Sequence, residues 1–263
     1  MNTLLLKVLV TPALIGTASL AGRRWGHSIS GWLVALPLTT GPITFFLALS
    51  HGPAFAATAA AGTLAGGISQ AAFVLAYSQL AGRWKWPATL AAGTLSFAVF
   101  TAVLQQLVLP LVPLCVVVLL VFTLVLRALP RRNDAGENNE DSLPPRWDIP
   151  LRMTIATVFV MIITGVAPSF GPHLTGLLAP FPLFTATLAA FAQHQHGPAA
   201  AIKVLRGLLM GLFSYASFFF VLAILLVPAG IGPAFAIAIV VMLTLQGISL
   251  WLLQRGFPAA THA

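Results

Sequence analysis

Two predicted membrane helices of this chain are interrupted by proline next to threonine, a combination that could bind a small solute. The interruptions comprise Pro37, Thr39, Thr40 and Pro42 in one helix and Pro182, Thr185 and Thr187 in the other. Because proline removes a backbone donor and clashes with the preceding turn, each helix is expected to kink or break. The freed carbonyls and the threonine hydroxyls would offer hydrogen bonds to a polar solute or ligands to Na⁺. The alternative is a packing kink whose backbone groups are satisfied by neighbouring threonines.

Polar residues in the two longest apolar runs form a second group of candidates. They are Ser69 and Gln70 in one run and Ser214 and Tyr215 in the other. We expect them near mid-depth, level with the interrupted helices, where they would line the site. Glycines four apart precede them in both runs, and small residues at this spacing let helices approach closely. A simple packing face is therefore the competing interpretation.

Histidines and basic residues beside the helix ends are candidates for gating. His51 and His196 each precede Gly-Pro, which is ordinary helix-boundary chemistry, but histidine also titrates near neutral pH. Lys203 and Arg206 lie inside a predicted span, where they either snorkel to the interface or attract an anionic solute. His194 and His196 make only a weak case for a metal. The sequence therefore predicts a gate or caps at these positions, and no metal site or cofactor.

The composition excludes several classes of function. The chain is 59% hydrophobic and 7% charged, and all five acidic residues lie between Pro130 and Pro150. No predicted span contains a carboxylate, which argues against a carboxylate proton relay. The net charge of +8 comes from basic residues beside the spans, so it indicates membrane topology rather than nucleic-acid binding. One cysteine, Cys115, and the lack of CxxC or HExxH motifs give no enzyme signature.

The chain contains an internal repeat, which is the feature that must position these residues. A shift of 145 aligns Gly26–Leu80 with Gly171–Leu225, with 19 of 55 positions identical. The identities include Pro37, Thr40, His51, Gly52, Pro53, Gly62, Gly66, Ser69 and Phe73, which match Pro182, Thr185, His196, Gly197, Pro198, Gly207, Gly211, Ser214 and Phe218. Hydrophobic composition alone would not produce these matches, so the chain consists of two copies of one membrane unit.

Apolar runs of the length needed to cross a bilayer predict nine spans. They are 3–21, 29–49, 54–81, 87–106, 108–128, 151–168, 174–193, 199–227 and 233–253. The first resembles a signal peptide, but Lys7 and Arg152 match in the repeat, which favours a retained span. With the N-terminus outside, twelve of thirteen basic residues face the cytoplasm, among them Arg23 and Arg24.

An odd number of spans separates the copies, so the second copy is turned over. The predicted fold is an all-α membrane protein with about nine transmembrane helices in a 4+1+4 inverted-topology repeat. Its parts are repeat one (1–106), a linker helix with a charged cytoplasmic loop (107–150) and the inverted repeat two (151–263). The basic turns of one copy, Arg23–Arg24 and Arg83–Trp86, correspond to the uncharged Pro168–Ser169 and Pro228–Ile231 of the other.

Each copy also resembles a known family of small membrane proteins. Leu178–Thr185, the turn at His196–Gly197 and the long helix from Pro198 are similar to the GlpM-type four-helix bacterial membrane proteins. The resemblance implies a cytoplasmic-membrane protein without a firmly established substrate. This chain differs by fusing two copies, as expected when a dual-topology dimer becomes one polypeptide.

These features predict a multi-pass protein of the bacterial cytoplasmic (inner) membrane, with the N-terminus outside and the C-terminus cytoplasmic. The expected function is secondary transport or flipping of a small neutral or anionic solute by alternating access. The alternatives are a channel-like pore and a non-transporting membrane assembly or biogenesis factor. The expected partners are the lipid bilayer, the solute and a possible second copy of the chain, and not nucleic acid.

Overall fold

The computed structural model of the chain describes residues 37–130 and 148–256, together with Leu9, Pro12, Ala13 and Gly16. Its helices are α1 Thr40–His51, α2 Pro53–Leu80, α3 Trp86–Gln105, α4 Leu111–Ala128, α5 Asp148–Leu178, α6 Leu183–His196, α7 Pro198–Ala229 and α8 Ile231–Gly256. The described part of the chain contains helices and no strands. Most of the predicted span 3–21, the arginines at 23 and 24 and the charged loop at 131–147 lie outside the described residues.

Six of these helices are long and apolar enough to cross a membrane. They are α2, α3, α4, α7, the Met153–Leu178 part of α5 and the Ile231–Ile248 part of α8. Their bounds fall within a few residues of the predicted spans, except for α5. Helices suit a membrane because each one satisfies its own backbone hydrogen bonds, and these are long enough to cross it. The fold is therefore that of a membrane protein.

The predicted link between the spans 151–168 and 174–193 is confirmed, although the helix does not yet end at Pro168–Ser169. The helix continues through Pro168, and the non-helical residue is Gly171, with φ 73° and ψ 170°. A proline inside a helix removes one hydrogen bond and bends the helix without having to end it. Glycine, in contrast, adopts positive φ at little cost, and Pro172 suits the first turn of the short segment that ends at Leu178.

The repeat is visible in the links that follow the interrupted helices. Gly52 between α1 and α2 has φ 89°, and Gly197 between α6 and α7 has φ 88°. Each glycine N–H donates to the carbonyl four residues earlier, Ala48 or Gln193, at 3.1 Å. Both links are single residues followed by proline, so the two corresponding helix pairs are joined in the same conformation.

Helices α2 and α7 form the centre of the bundle. They pack extensively on each other, and α2 also packs on α5, α3 and α4. In the most apolar window of α2, 78% of residues are buried, against 22% for α4. The large apolar side chains that remain exposed lie mainly on α3, α4, α5 and α8, for example Leu95, Val112, Leu124, Ile162 and Val240. An apolar exposed surface of this kind suits contact with lipid.

Glycines bring α2 and α5 into backbone contact. A Cβ added at Gly176 would lie 2.1 Å from the Ala59 carbonyl oxygen, and one added at Gly62 would lie 2.5 Å from the His173 carbonyl oxygen. No side chain fits at either position without separating the two helices. The predicted packing face on the first long helix is therefore confirmed at Gly62, where the small residue permits the close approach.

Candidate functional site

At the first predicted interruption, a turn at residues 37–39 leads into α1, and the residues just before Pro37 lie outside the described part of the chain. The Gly41 N–H donates to the Pro37 carbonyl at 2.8 Å, and the Ile43 N–H donates to the Thr39 carbonyl at 3.1 Å. Thr39 makes no side-chain cap hydrogen bond, and Thr40 and Pro42 are buried. The chain therefore enters α1 from a turn, and its first residues face the protein interior.

The second interruption is a break in the chain between α5 and α6. Residues 179–182 are non-helical, and Pro182 has φ −79° and ψ 54°. The Leu183 N–H donates to the Phe181 carbonyl at 2.7 Å, which makes an inverse γ-turn. The Ala186 N–H then donates to the Pro182 carbonyl at 2.7 Å and starts α6. The predicted break at this proline is confirmed.

Each interrupted helix packs against the long helices of the other copy. In the first copy, Gly41 lies beside the Phe218 ring of α7, and Phe45 makes an edge contact with Phe235 of α8 at 5.4 Å between ring centres. In the second copy, Phe181 makes an edge contact with Phe97 of α3 at 5.2 Å. Two interruptions that are distant in sequence are thus each held by the opposite half of the molecule.

The second break also lies directly against α2. A Cβ added at Gly66 would lie 2.5 Å from Cγ of Pro180 and 2.7 Å from the Leu177 carbonyl oxygen. Gly66 therefore leaves room for the break, one turn after Gly62 leaves room for α5. These contacts place the backbone of α2 over the irregular segment, as expected for such a segment inside a bundle.

The threonines near the interruptions differ in burial and in whether their hydroxyls bond to their own helix. Thr44 Oγ1 donates to the Thr40 carbonyl at 3.1 Å, and Thr187 Oγ1 donates to the Leu183 carbonyl. These bonds to the carbonyl four residues earlier are ones that threonines in helices often make, and they satisfy the hydroxyls rather than the backbone groups freed by the interruptions. Thr40 and Thr185 are each only 5% exposed, whereas Thr187 is exposed at the surface. Of the predicted threonines, Thr40 and Thr185 therefore face the interior and Thr187 does not.

Ser69 and Ser214 contact neighbouring helices within their own copies. Thr101 Oγ1 of α3 donates to Ser69 Oγ at 3.0 Å. Ser214 Oγ lies 3.4 Å from Gln246 Oε1 of α8 and is closer to the Gly211 carbonyl of its own helix, which accepts its hydrogen at 2.9 Å. Thr101 and Gln246 correspond under the same shift of 145 that relates the two serines. The repeat thus extends to this contact, but only Ser69 is hydrogen-bonded to the neighbouring helix at a normal distance.

Gln70 and Tyr215 occupy corresponding positions but differ in their partners. The Tyr215 hydroxyl donates to the Thr63 carbonyl of α2 at 3.0 Å, which links the two copies at the centre of the bundle. Gln70 is 6% exposed, and its Oε1 has no hydrogen-bond partner among the described residues. Tyr215 is therefore used to join two helices, whereas the side-chain oxygen of Gln70 is free to accept a hydrogen bond from a ligand.

Polar contacts join several helix ends at one end of the bundle. Gln193 Nε2 of α6 donates to the Ala81 and Trp84 carbonyls just after α2, at 2.9 Å each. Gln79 Nε2 donates to the Ala128 carbonyl at the end of α4 at 3.0 Å. Arg206 near the start of α7 donates to the Pro130 carbonyl at 3.4 Å. We call this the Gln193 end of the bundle.

The four predicted gating residues lie at helix ends. His196 and Lys203 are exposed, near the end of α6 and the start of α7, and Arg206 is half-buried one turn further along. His51 is exposed at the junction of α1 and α2, where it stacks on Phe55 at 4.6 Å between ring centres. Within the described ranges, no three His, Cys, Asp or Glu residues are grouped so as to hold a metal ion.

A shallow surface groove of about 560 Å³ lies elsewhere, along the outer face of α3. It is lined by Trp86, Pro87, Leu90, Ala91, Thr94, Leu95 and Ala98. None of the predicted site residues contributes to it, and its lining is almost entirely apolar. We attribute this groove to the lipid-facing surface of the bundle.

Two buried polar residues that the sequence analysis missed are Tyr77 and Ser78. The Tyr77 hydroxyl and Ser78 Oγ are buried in α2 and have no hydrogen-bond partner within the described part of the chain. The sequence contained a signal for them. Both are polar residues inside an apolar run, and their counterparts in the second copy, Leu222 and Ala223, are apolar.

Comparison with models of protein families, with curated proteins and with solved structures finds no match to this chain. The class of protein therefore rests on the fold itself, an all-helical bundle in the described residues with six helices able to cross a membrane.

Proposed function

We propose that this chain is an integral membrane secondary transporter or flippase that moves a small neutral or anionic solute by alternating access. The observation that carries the proposal is the relative direction of the two copies. Gln193, near the end of α6, bonds to carbonyls just after the end of α2. Since α7 starts one residue after α6 ends, α2 finishes at the end of the bundle where α7 begins. Corresponding helices then run in opposite directions, as in many transporters with inverted repeats.

The complete architecture in this proposal is the predicted 4+1+4 arrangement of nine spans. The six long helices supply six of them, and the two interrupted helices supply two more as half-helices. The basic residues support a cytoplasmic location for the Gln193 end. The side chains described there include Arg83, Lys85, Arg127, Lys203 and Arg206. An excess of lysine and arginine on one side marks the cytoplasmic face, in agreement with a bacterial inner-membrane protein whose N-terminus is outside.

In this proposal the interruptions bind the solute and the central helices provide the moving contact. Thr40 and Thr185 are corresponding, buried residues in the first turns after the two interruptions. The glycine contacts of α2 with α5 and with the second break leave few interlocking side chains to resist a rigid-body rotation. Rocking of one copy against the other around the interruptions would expose the site to each side in turn.

The test replaces each interior threonine by valine, which keeps the shape and removes the hydroxyl. A metabolite screen of a deletion strain identifies the solute, and uptake or efflux is then measured in vesicles. We expect Thr40→Val and Thr185→Val each to reduce transport about tenfold, because one lost hydrogen bond to a ligand is worth about 1.5 kcal/mol. Membrane abundance should not change.

The matched control is Thr187→Val, because Thr187 is exposed and its hydroxyl bonds to its own helix. We expect this variant to transport normally. Unchanged transport in both Thr40→Val and Thr185→Val would remove the threonines from the site. Counterflow in liposomes separates a carrier from a channel-like pore, since trans-stimulation is expected only for a carrier.

A non-transporting assembly or biogenesis factor is the second candidate, and one observation favours it. The second break is covered by α2 at Gly66 and by the Phe97 ring. A factor of this kind needs the fold but no solute path. It would leave metabolite levels unchanged in the deletion strain and would show no solute movement after reconstitution, whereas the transporter predicts both effects.

A further inference from the structure

Three polar side chains of α2 are buried and have atoms without a hydrogen-bond partner among the described residues. Gln70, Tyr77 and Ser78 are 6%, 0% and 2% exposed, respectively. Gln70 Oε1, the Tyr77 hydroxyl and Ser78 Oγ have no hydrogen-bond partner among the residues that the structure describes. Three such groups within nine residues of one helix are unusual, since nearly all buried polar atoms in proteins are hydrogen-bonded.

Other buried polar groups in the same region show that partners can be found there. Thr63 Oγ1 bonds to the Ala59 carbonyl at 2.8 Å, and the Tyr215 hydroxyl bonds to the Thr63 carbonyl at 3.0 Å. Ser78 could have bonded to a carbonyl of the preceding turn, as serines and threonines in helices often do, but it does not. In the hydrocarbon region an unpaired polar group is costly, because water is not there to replace the partner.

The unpaired groups follow one side of α2 toward the Gln193 end. Gln70, Tyr77 and Ala81 are spaced i, i+7 and i+11, which places them on one side of the helix, about 16 Å from first to last. One turn before Gln70, Gly66 contacts Pro180 of the second break. At the far end, the Ala81 carbonyl accepts from Gln193, whose own Oε1 is buried and unpaired among the described residues.

Three of the four polar residues have an apolar counterpart in the other copy of the repeat. The residues that correspond to Tyr77, Ser78 and Gln193 are Leu222, Ala223 and Ala48, all apolar. Leu222 is fully buried, as Tyr77 is, so an apolar side chain satisfies the packing requirement at this position. The hydroxyl of Tyr77 therefore serves something other than the packing of the helices.

We propose that Gln70, Tyr77, Ser78 and Gln193 line the inner half of the solute path, from the second break to the Gln193 end. The ligand class is a small uncharged solute that carries N–H or O–H donors. Two of the four available atoms are amide oxygens, which only accept hydrogen bonds, so the solute must donate. Neither α2 nor the buried part of α6 contains a charged residue to pair with an ion. The inference rests on the proposed transport function and narrows it to uncharged solutes.

The experiment measures whether water reaches these buried positions. In a Cys115→Ala background, Tyr77→Cys and Ser78→Cys are compared with Leu222→Cys and Leu205→Cys, whose wild-type side chains on α7 are buried at 0% exposure. A membrane-impermeant cationic methanethiosulfonate is applied to the cytoplasmic face of inverted vesicles. We expect Tyr77→Cys and Ser78→Cys to react at least about tenfold faster, because only a hydrated thiol ionises to the reactive thiolate.

Equal reactivity of all four cysteines would overturn the inferred path. Ser78→Cys changes a single atom, so this variant remains informative if Tyr77→Cys fails to fold. The transport proposal is tested separately by Thr40→Val and Thr185→Val, so the two failures can be told apart. If the transported solute proves to be charged at neutral pH, the proposed ligand class is wrong. Whether these residues line a path is then decided by the cysteine reactivities alone.

Discussion

The two buried tyrosines of the bundle core differ in whether a protein atom accepts their hydroxyl hydrogen. Tyr215 donates to the Thr63 carbonyl, and this bond links the central helices of the two copies. Tyr77 is equally well buried but has no such acceptor in the described part of the structure. The tyrosine hydroxyl therefore stabilises the fold at Tyr215, whereas at Tyr77 it is free to bind a ligand.

The corresponding pair of substitutions is expected to separate these roles. Tyr215→Phe should lower the free energy of unfolding by about 1 kcal/mol, the usual worth of a buried hydrogen bond. Tyr77→Phe should leave it unchanged or raise it, since it removes a buried hydroxyl that has no partner among the described residues. Reversible unfolding in mixed micelles measures both. A loss of stability in Tyr77→Phe and none in Tyr215→Phe would reverse the assignment.

At the scale of helices, the contact between α2 and α5 depends on glycine. Gly176 faces the Ala59 carbonyl so closely that even a methyl group would collide with backbone atoms. A backbone atom cannot move aside as the end of a flexible side chain can. The whole helix would have to shift, and the second break that follows Leu178 would shift with it.

We therefore expect Gly176→Ala to destabilise the protein by about 3 kcal/mol, at the upper end of the cost of overpacking. Gly165→Ala is the matched control on the same helix, because a Cβ there meets nothing within 4 Å. That control should be neutral or stabilising by about 0.5–1 kcal/mol, as alanine is the better helix former. Thermal unfolding in detergent compares the two variants, and an equal effect of both would contradict the close contact.

For the whole molecule, the proposed transporter depends on the two copies lying in opposite directions across the membrane. Corresponding helices α1 and α6 both end at histidine and lead into α2 and α7 through one glycine in the same conformation. The contacts of Gln193 bring the end of α6 next to the end of α2. The ends of α1 and α6 should consequently lie on opposite sides of the membrane.

Exposed residues at corresponding positions test this arrangement. Ser50 and Gln195 are both exposed and are related by the shift of 145. In a Cys115→Ala background, we expect Ser50→Cys to react with an impermeant thiol reagent from the outside and Gln195→Cys only from the cytoplasmic side. Reaction of both cysteines from one side would refute the inverted repeat, and the transporter proposal would lose its main support.

Much of the fold could be predicted because lipid leaves few choices to the chain. A span must be helical and of a certain length, so apolar runs gave the bounds of α2, α3, α4, α7 and α8 closely. Proline predicted the break before α6, because the lost backbone donor is a local effect. The gap between the predicted spans 151–168 and 174–193 contains Gly171, where α5 is interrupted, although the helix continues past Pro168.

The sequence by itself determined the repeat, the membrane-type helices and the positions of the helix links, because backbone hydrogen bonding and hydrophobic length act along the chain. Only the tertiary structure decided which polar side chains have partners. It paired Ser69 with Thr101 and Tyr215 with Thr63, placed Thr187 at the surface, and left Gln70, Tyr77 and Ser78 buried without a described protein partner. The physical reason is that a hydrogen bond between helices depends on their crossing and rotation, which local residue types do not fix.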